Sequence, residues 1–325
     1  MIFVTGAAGF IGSVVLRSLS DAGFPDLIAV DRLGSTEKWR NLIGKRIVDY
    51  VDHATFLDRI EHGAYDRERV QAIVHIGART DTTERDLDLL MRLNFDFTRR
   101  LCLWAHKRGV PFIYASSASV YGDGAQGFAD DDFLTPRLRP LNGYAFTKWL
   151  FDHWVLEQKL QNAVVGLRFF NVYGPNEYHK ARMASVIYHA YPTAKREGLV
   201  KLFESDRPGI AHGDQRRDFV YVKDISRVVL HFLRHPHAHG IYNLGSGRAR
   251  TFNDLARALL SACEKSPDGI RYFPMPADLK GKYQYFTEAD LSKLRDAGFA
   301  EPMTPLEEGV TDYVRSYLEK PEPWL

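Results

Sequence analysis

Ile2-Phe3-Val4-Thr5-Gly6-Ala7-Ala8-Gly9-Phe10-Ile11-Gly12 runs from an apolar strand through a glycine turn into the start of a helix. Glycine permits a tight turn and lets the backbone come close to a pyrophosphate. The free N–H groups and the dipole of the following helix then face the anion. The spacing is GxxGxxG. Gly6, Gly9 and Gly12, with Phe10 and Ile11 among them, are therefore expected to bind a dinucleotide cofactor. Outward from this turn, the next apolar run is 27–31. It ends in Asp31, where the adenosine ribose should lie. Asp31 alone favours NAD, because it binds a free 2′-hydroxyl. Arg32 and Lys38 follow closely and suit a 2′-phosphate. NADP is the expected cofactor, with NAD as the alternative.

Further along, short apolar runs alternate with longer amphipathic ones. Residues 71–75 and 111–115 read as further buried strands, and 11–22, 54–62 and 86–107 as helices between strands. Such alternation predicts an α/β protein with a doubly wound parallel sheet, Rossmann-like in form. Residues 142–159 read as another helix and 163–169 as another strand. After Asn171 the pattern loosens. Residues 219–222 and 241–244 still read as strands, while 203–215 and 266–284 read as loops. A second, smaller α/β substrate lobe is expected. The expected division is 1–170 plus 217–245 for the dinucleotide, and 171–216 plus 246–325 for the substrate.

The chain has 325 residues, 45% of them hydrophobic, enough for a large core. With 43 Lys+Arg against 41 Asp+Glu the formal charge is +2, which argues against nucleic acid or an anionic membrane as partner. Residues 1–16 carry no side-chain charge, but the basic stretch of a signal peptide is missing and three glycines interrupt the run. A cytoplasmic protein with no membrane partner is expected. Its two cysteines, Cys102 and Cys263, are expected to be reduced and packed.

Tyr144 and Lys148 are four residues apart on a predicted helix and so share a face. A phenol with a reference pKa of about 10 is a poor base at neutral pH. A nearby ammonium favours the phenolate, so Lys148 is expected to lower the Tyr144 pKa. Upstream, Tyr114-Ala115-Ser116-Ser117-Ala118-Ser119-Val120-Tyr121-Gly122 ends a predicted strand where sheet ligands bind. Ser117 is placed to hydrogen-bond a reacting oxygen.

With the glycine turn, these residues resemble the extended short-chain dehydrogenase/reductase family, whose members modify nucleotide sugars. The resemblance implies that Ser117, Tyr144 and Lys148 form the catalytic group. It implies that His75-Ile76-Gly77-Ala78 lines the cofactor, and that Asn94 holds the central helix to the strand ends. A nucleotide-sugar substrate and a homo-oligomer are expected. Dehydratases of the family carry Asp-Glu after the catalytic hydroxyl residue, whereas Ala118-Ser119 follows Ser117 here. A regulator that binds NADP without catalysis would tend to lose Tyr144 or Lys148, and both are present.

The second half narrows the branch. His179-Lys180-Ala181-Arg182-Met183-Ala184-Ser185-Val186, Lys201-Leu202-Phe203-Glu204 and Arg217-Asp218-Phe219-Val220-Tyr221-Val222 resemble the family's epimerases of a nucleotide-linked heptose. So does Leu279-Lys280-Gly281-Lys282-Tyr283-Gln284. By that resemblance Asn171, Arg182, His189, Phe203, Glu204, Ser205, Arg217 and Tyr283 contact substrate, and Val172 and Lys180 contact cofactor. Lys180 is also implied to be a second acid/base. Inverting an unactivated carbinol carbon requires hydride removal and return, and the intermediate ketone must present its other face. A proton donor on the second side meets that requirement. Arg182 and Arg79 depart from the branch, which has smaller residues there. His231, His235, His237 and His239 cluster at a predicted helix end without carboxylate or cysteine, so no metal is expected.

Overall fold

Runs of β-branched and aromatic residues become strands here because both faces of the sheet they build are covered. The computed structural model describes residues 1–276 and 284–325. In chain order the strands are β1 (Ile2–Thr5), β2 (Leu27–Asp31), β3 (Asp49–Asp52), β4 (Ala72–His75), β5 (Phe112–Ser117) and β6 (Val164–Phe169). They continue with β7 (Asn171–Tyr173), β8 (Val200–Phe203), β9 (Arg216–Tyr221), β10 (Gly240–Leu244), β11 (Ala249–Thr251) and β12 (Ile270–Phe273). Among the described residues, seven form one parallel sheet in the order β10-β6-β5-β4-β1-β2-β3. The winding reverses between β1 and β4, and a crevice opens there beyond the carboxyl ends of the strands.

Side chains alternate across the sheet, so one strand feeds two cores. Ile2 and Val4 pack with Val15, Leu16 and Leu19 of the helix Phe10–Asp21 and with Val228 and Val229 of the helix Val222–Arg234. Phe3 faces the other way, with Phe56, Leu101 and Phe151. A third core gathers Tyr173, Ile187, Leu202, Phe219, Leu259 and Val310 around the smaller sheets, β11-β9-β7 and β12-β8. Phe10 and Val14 belong to it, so the first helix touches both parts of the molecule.

The structure departs from the sequence expectations in four places. β3 forms although its ends are charged, because Asp49 and Asp52 sit at a sheet edge and only Val51 is fully buried. β9 does not join the large sheet; it pairs with β7 and β11 instead. The stretch read as a loop at 266–284 contains β12, which pairs with β8 through Phe273 opposite Phe203. The helix expected over 86–107 is interrupted by a π-helical turn, Met91–Asp96, which holds Asn94.

Candidate functional site

The glycine turn closes backbone against backbone. Gly6 has φ +67°, a region that favours glycine, and a Cβ there would lie 2.7 Å from Cα of Gly77. A Cβ on Gly12 would lie 2.0 Å from the Gly6 carbonyl oxygen. The Gly9 amide donates to that oxygen at 2.9 Å, and the helix Phe10–Asp21 starts directly behind it. Its first turn is uncharged, so the helix dipole is left facing the crevice. A cradle of this width, at a helix N-terminus, fits a dinucleotide pyrophosphate.

Asp31 ends β2 beside the turn. Its Oδ2 accepts from the Ala8 amide at 2.8 Å, and its Oδ1 from the Arg32 amide at 2.6 Å. Lys38 completes the set, with Nζ 2.6 Å from Oδ1. Arg32 is exposed at the rim. On the other wall, Ile76, Gly77 and Ala78 follow β4 and are half-buried. Gly77 donates to Thr5 Oγ1 at 3.2 Å. His75 does not line the crevice as the resemblance implied. It is turned inward between Thr5 Oγ1 at 2.6 Å and Thr98 Oγ1 at 2.8 Å, and burial pushes its pKa well below the usual imidazole range.

The catalytic candidates meet at the end of β5. Asn142 caps the helix Gly143–Glu157 by accepting from Ala145 at 2.9 Å, which fixes where Tyr144 and Lys148 emerge. Tyr144 is hydrogen-bonded with Ser117, whose Oγ also accepts from Ser119 Oγ at 2.9 Å. Lys148 is buried and donates from Nζ to the Ala115 carbonyl at 2.6 Å. Burial brings its pKa down to about 8, with Asp152 opposing. The expected lowering of the phenol by Lys148 is not found. Burial raises the Tyr144 pKa, and the bond with Ser117 is the opposing influence. The ammonium is directed at a carbonyl instead of the phenol.

Asn94 ties these pieces together. It accepts from the Arg79 amide at 2.8 Å and donates to Thr147 Oγ1, on the catalytic helix, at 3.1 Å.

One buried group escaped the sequence reading. Asp152, one turn beyond Lys148, accepts from Tyr114 at 3.0 Å, Ser116 at 2.9 Å and Arg168 Nε at 2.8 Å. Arg168 also donates to Tyr121 at 3.0 Å and Thr135 at 2.8 Å. An acidic residue on a helix ordinarily reads as solvated. The signal was the apolar company of Asp152, between Phe151 and Trp154.

The second-half candidates are spread over several elements. Lys180 Nζ lies 5.5 Å from the centre of the Phe10 ring, and burial lowers its pKa while Glu177 opposes. Arg182 is exposed and reaches Asp81 at 3.0 Å as well as Thr83. Arg79 pairs with Glu84 at 3.0 Å. Asn171 and His189 are exposed, and Val172 packs between two cores. Asn171 pairs with Phe219 in register, two positions from Arg217. Arg217 is buried and donates to the Arg216 carbonyl at 2.9 Å. Phe203 meets the Phe273 ring edge-on at 4.9 Å, and Glu204 donates its amide to the Phe273 carbonyl at 2.8 Å. The Ser205 amide donates to His212 at 3.0 Å. Tyr283 lies outside the described residues.

Residues 2–245 match the model of the NAD dependent epimerase/dehydratase family. The chain belongs to that family. This family member is 49% identical over 325 residues to ADP-L-glycero-D-manno-heptose-6-epimerase of Nitratidesulfovibrio vulgaris (strain DP4), with both chains covered in full. The enzyme of that name from Fusobacterium nucleatum subsp. nucleatum is 42% identical, again with full coverage of both. The crystal structure of Helicobacter pylori ADP-L-glycero-D-manno-heptose-6-epimerase superposes with a TM-score of 0.79 at 28% identity, over 97% of this chain and 95% of that one.

Elsewhere, two of the clustered imidazoles, His231 and His235, are engaged with main-chain carbonyls. His231 Nε2 lies 3.0 Å from the Ala297 carbonyl and His235 Nδ1 2.8 Å from that of His231. No helix of the described residues is long and apolar enough to cross a membrane.

Proposed function

We propose that this family member inverts C6 of the heptose in an ADP-glycero-manno-heptose, supplying a precursor of the lipopolysaccharide core in the cytoplasm. The observation that carries the reading is a phenol and a half-buried ammonium set beside one glycine turn, which suit the two proton-handling roles. Tyr144 stands at the end of β5, and Lys180 packs over Phe10 on the other side of the turn. Full-length likeness to enzymes of that name supports it.

NADP is the proposed cofactor. Gly6, Gly9, Phe10, Ile11 and Gly12 would hold its pyrophosphate, Asp31, Arg32 and Lys38 its adenosine ribose, and Ile76, Gly77, Ala78, Asn94, Lys148, Val172 and Lys180 the remainder. When bound it takes a hydride from the carbinol carbon and returns it. Tyr144 receives the hydroxyl proton as the ketone forms, with Ser117 bonded to the same oxygen. Lys148, with a pKa of about 8, keeps its charge at neutral pH. The ketone then presents its other face, and Lys180 supplies the proton there. Asn171, Arg182, His189, Phe203, Glu204, Ser205, Arg217 and Tyr283 hold the nucleotide sugar. In the proposed division residues 1–170 with 217–245 act as the cofactor lobe and the rest as the substrate lobe, with β9 the strand that pairs across it to β7 and β11.

The test is a dismutation with an aldehyde analogue of the heptose, in which one molecule is oxidised and another reduced. Lys180→Met keeps the stem and removes the proton donor. It should retain dismutation while epimerisation falls on the order of 10²–10⁴-fold. Tyr144→Phe should keep its fold and lose both to a similar extent. Wild-type epimerisation by Lys180→Met would remove Lys180 from the mechanism.

A further inference from the structure

The segment that carries Lys180 is held from behind by the far end of the chain. Asn176, fully buried and at φ +75°, makes three connections with its side chain. It donates to Ser13 Oγ of the first helix at 2.9 Å, accepts from the Leu325 amide at 2.9 Å, and donates to the Leu325 carbonyl at 3.4 Å. Tyr178 donates to the Pro323 carbonyl at 2.6 Å, and its ring meets Trp324 edge-on at 6.1 Å.

The same few residues are gripped from the cofactor side. The Arg40 guanidinium lies 4.9 Å from the centre of the Trp324 ring. The buried Lys45 ammonium donates to the Leu325 carbonyl. Asn41 extends the arrangement to the glycine turn itself, donating to the Ala8 carbonyl at 2.9 Å and to that of Asn176 at 3.1 Å. Its Nδ2 also lies 3.4 Å from His179 Nδ1, next door to Lys180.

Residues 321–325 thus lie between two parts of the molecule that the chemistry needs in fixed relation. One part carries the cradle and Lys38; the other carries Lys180. The contacts on each side have different chemistry: main-chain bonds and a buried side-chain amide on one, cations on a ring and a carbonyl on the other. A surface tail needs none of these. Buried polar groups with full sets of partners hold one geometry, since any other leaves them unpaired.

We infer that residues 321–325, through Asn176 and Tyr178, are a positioning element that sets Lys180 against the cofactor cradle. The inference rests on the reading of Lys180 as second acid/base. Tyr144 and Lys148 are anchored separately, by Asn142, Asn94 and Ala115. Loosening the clasp therefore separates the two half-reactions. A displacement of about 1 Å in a positioned group can cost on the order of a hundredfold in rate.

Two full-length variants test this in the holoenzyme. Asn176→Gly accepts the positive φ and removes the side-chain bonds. Trp324→Ala removes the Arg40 contact together with the edge-on contact to Tyr178, and changes no residue of the Lys180 segment itself. Both should lose roughly ten- to hundredfold in epimerisation turnover. Dismutation through Tyr144 should stay within about twofold, below any effect expected of a lost acid/base group. Amide hydrogen exchange over 177–185 should quicken in both. Tyr178→Phe, which removes one hydroxyl, provides a milder third case should either variant fold poorly. Wild-type epimerisation in the variants would overturn the inference. So would an equal fall in epimerisation and dismutation, which would mark a general structural role. Failure of the Lys180 reading has a different signature: Lys180→Met then epimerises normally, whatever the exchange rates of the clasp variants.

Discussion

Lys38 and Asp31 are partners, with the ammonium 2.6 Å from the carboxylate. In the sequence they argue for opposite cofactors. In the fold they form one unit, in which the lysine offsets a negative charge that would repel a 2′-phosphate.

Removing the lysine should therefore act twice. Lys38→Ala loses a phosphate partner and exposes the charge of Asp31. Hydrogen bonds to charged groups contribute about 1.5–3 kcal/mol. The ratio of Kd values for NADPH and NADH should move roughly tenfold or more toward NADH, read by fluorescence titration. An unchanged ratio would exclude Lys38 from the ribose site.

Asp152 should matter to stability more than its place on a helix implies. Asp152→Ala leaves the Arg168 charge buried without its carboxylate and strips partners from Tyr114 and Ser116. Breaking a buried pair in this way costs about 3–5 kcal/mol. Urea unfolding of Asp152→Ala should show a loss of that order. Asp152→Ala combined with Arg168→Met should recover part of it.

Lys148 makes stability depend on pH in a direction set by burial. Its folded pKa is about 8, against an ordinary value of 10.5. Between these values the unfolded chain holds more protons, so stability rises with pH through that window. The gain is at most about 3 kcal/mol. Denaturation at pH 8 and pH 10 should show a smaller rise, or a steeper fall, in Lys148→Met than in the parent. Identical pH dependence in the two would mean that the lysine is better solvated than its surroundings indicate.

Ala181, between Lys180 and Arg182, has φ +45° and ψ −130°, which suits glycine far better than alanine. Such strain costs about 1–3 kcal/mol, and glycine gives back about 0.4–1 kcal/mol through the unfolded chain. Ala181→Gly should raise stability by about 1 kcal/mol in urea unfolding. A lower midpoint would show that the conformation is not strained.

Local features were the legible ones. The glycine turn, Asp31 at the end of β2, and the Tyr144/Lys148 spacing each depend on residues a few positions apart. The doubly wound sheet followed from alternation alone. What stayed hidden depended on distant partners. β3 lacked an alternating pattern because it is a charged edge. β9 has a strand's composition, but composition does not say which sheet it joins. Asp152 reads as a surface acid until Arg168 is brought beside it. The spacing of Tyr144 and Lys148 gave their shared face, yet not the carbonyl of Ala115 that captures the ammonium. Nothing near residue 325 indicated that Trp324 would reach Arg40 or that Leu325 would reach Asn176.

The contact of Gly6 with Gly77 has a mechanical meaning. Gly6 and Gly77, 71 positions apart in the chain, meet through bare main chain, so no side chain stands at that contact to yield while its neighbour stays put. They behave as a single joint. Heat or denaturant that frees one should free the other, and the crevice should vanish in one cooperative step together with the sheet instead of fraying loop by loop.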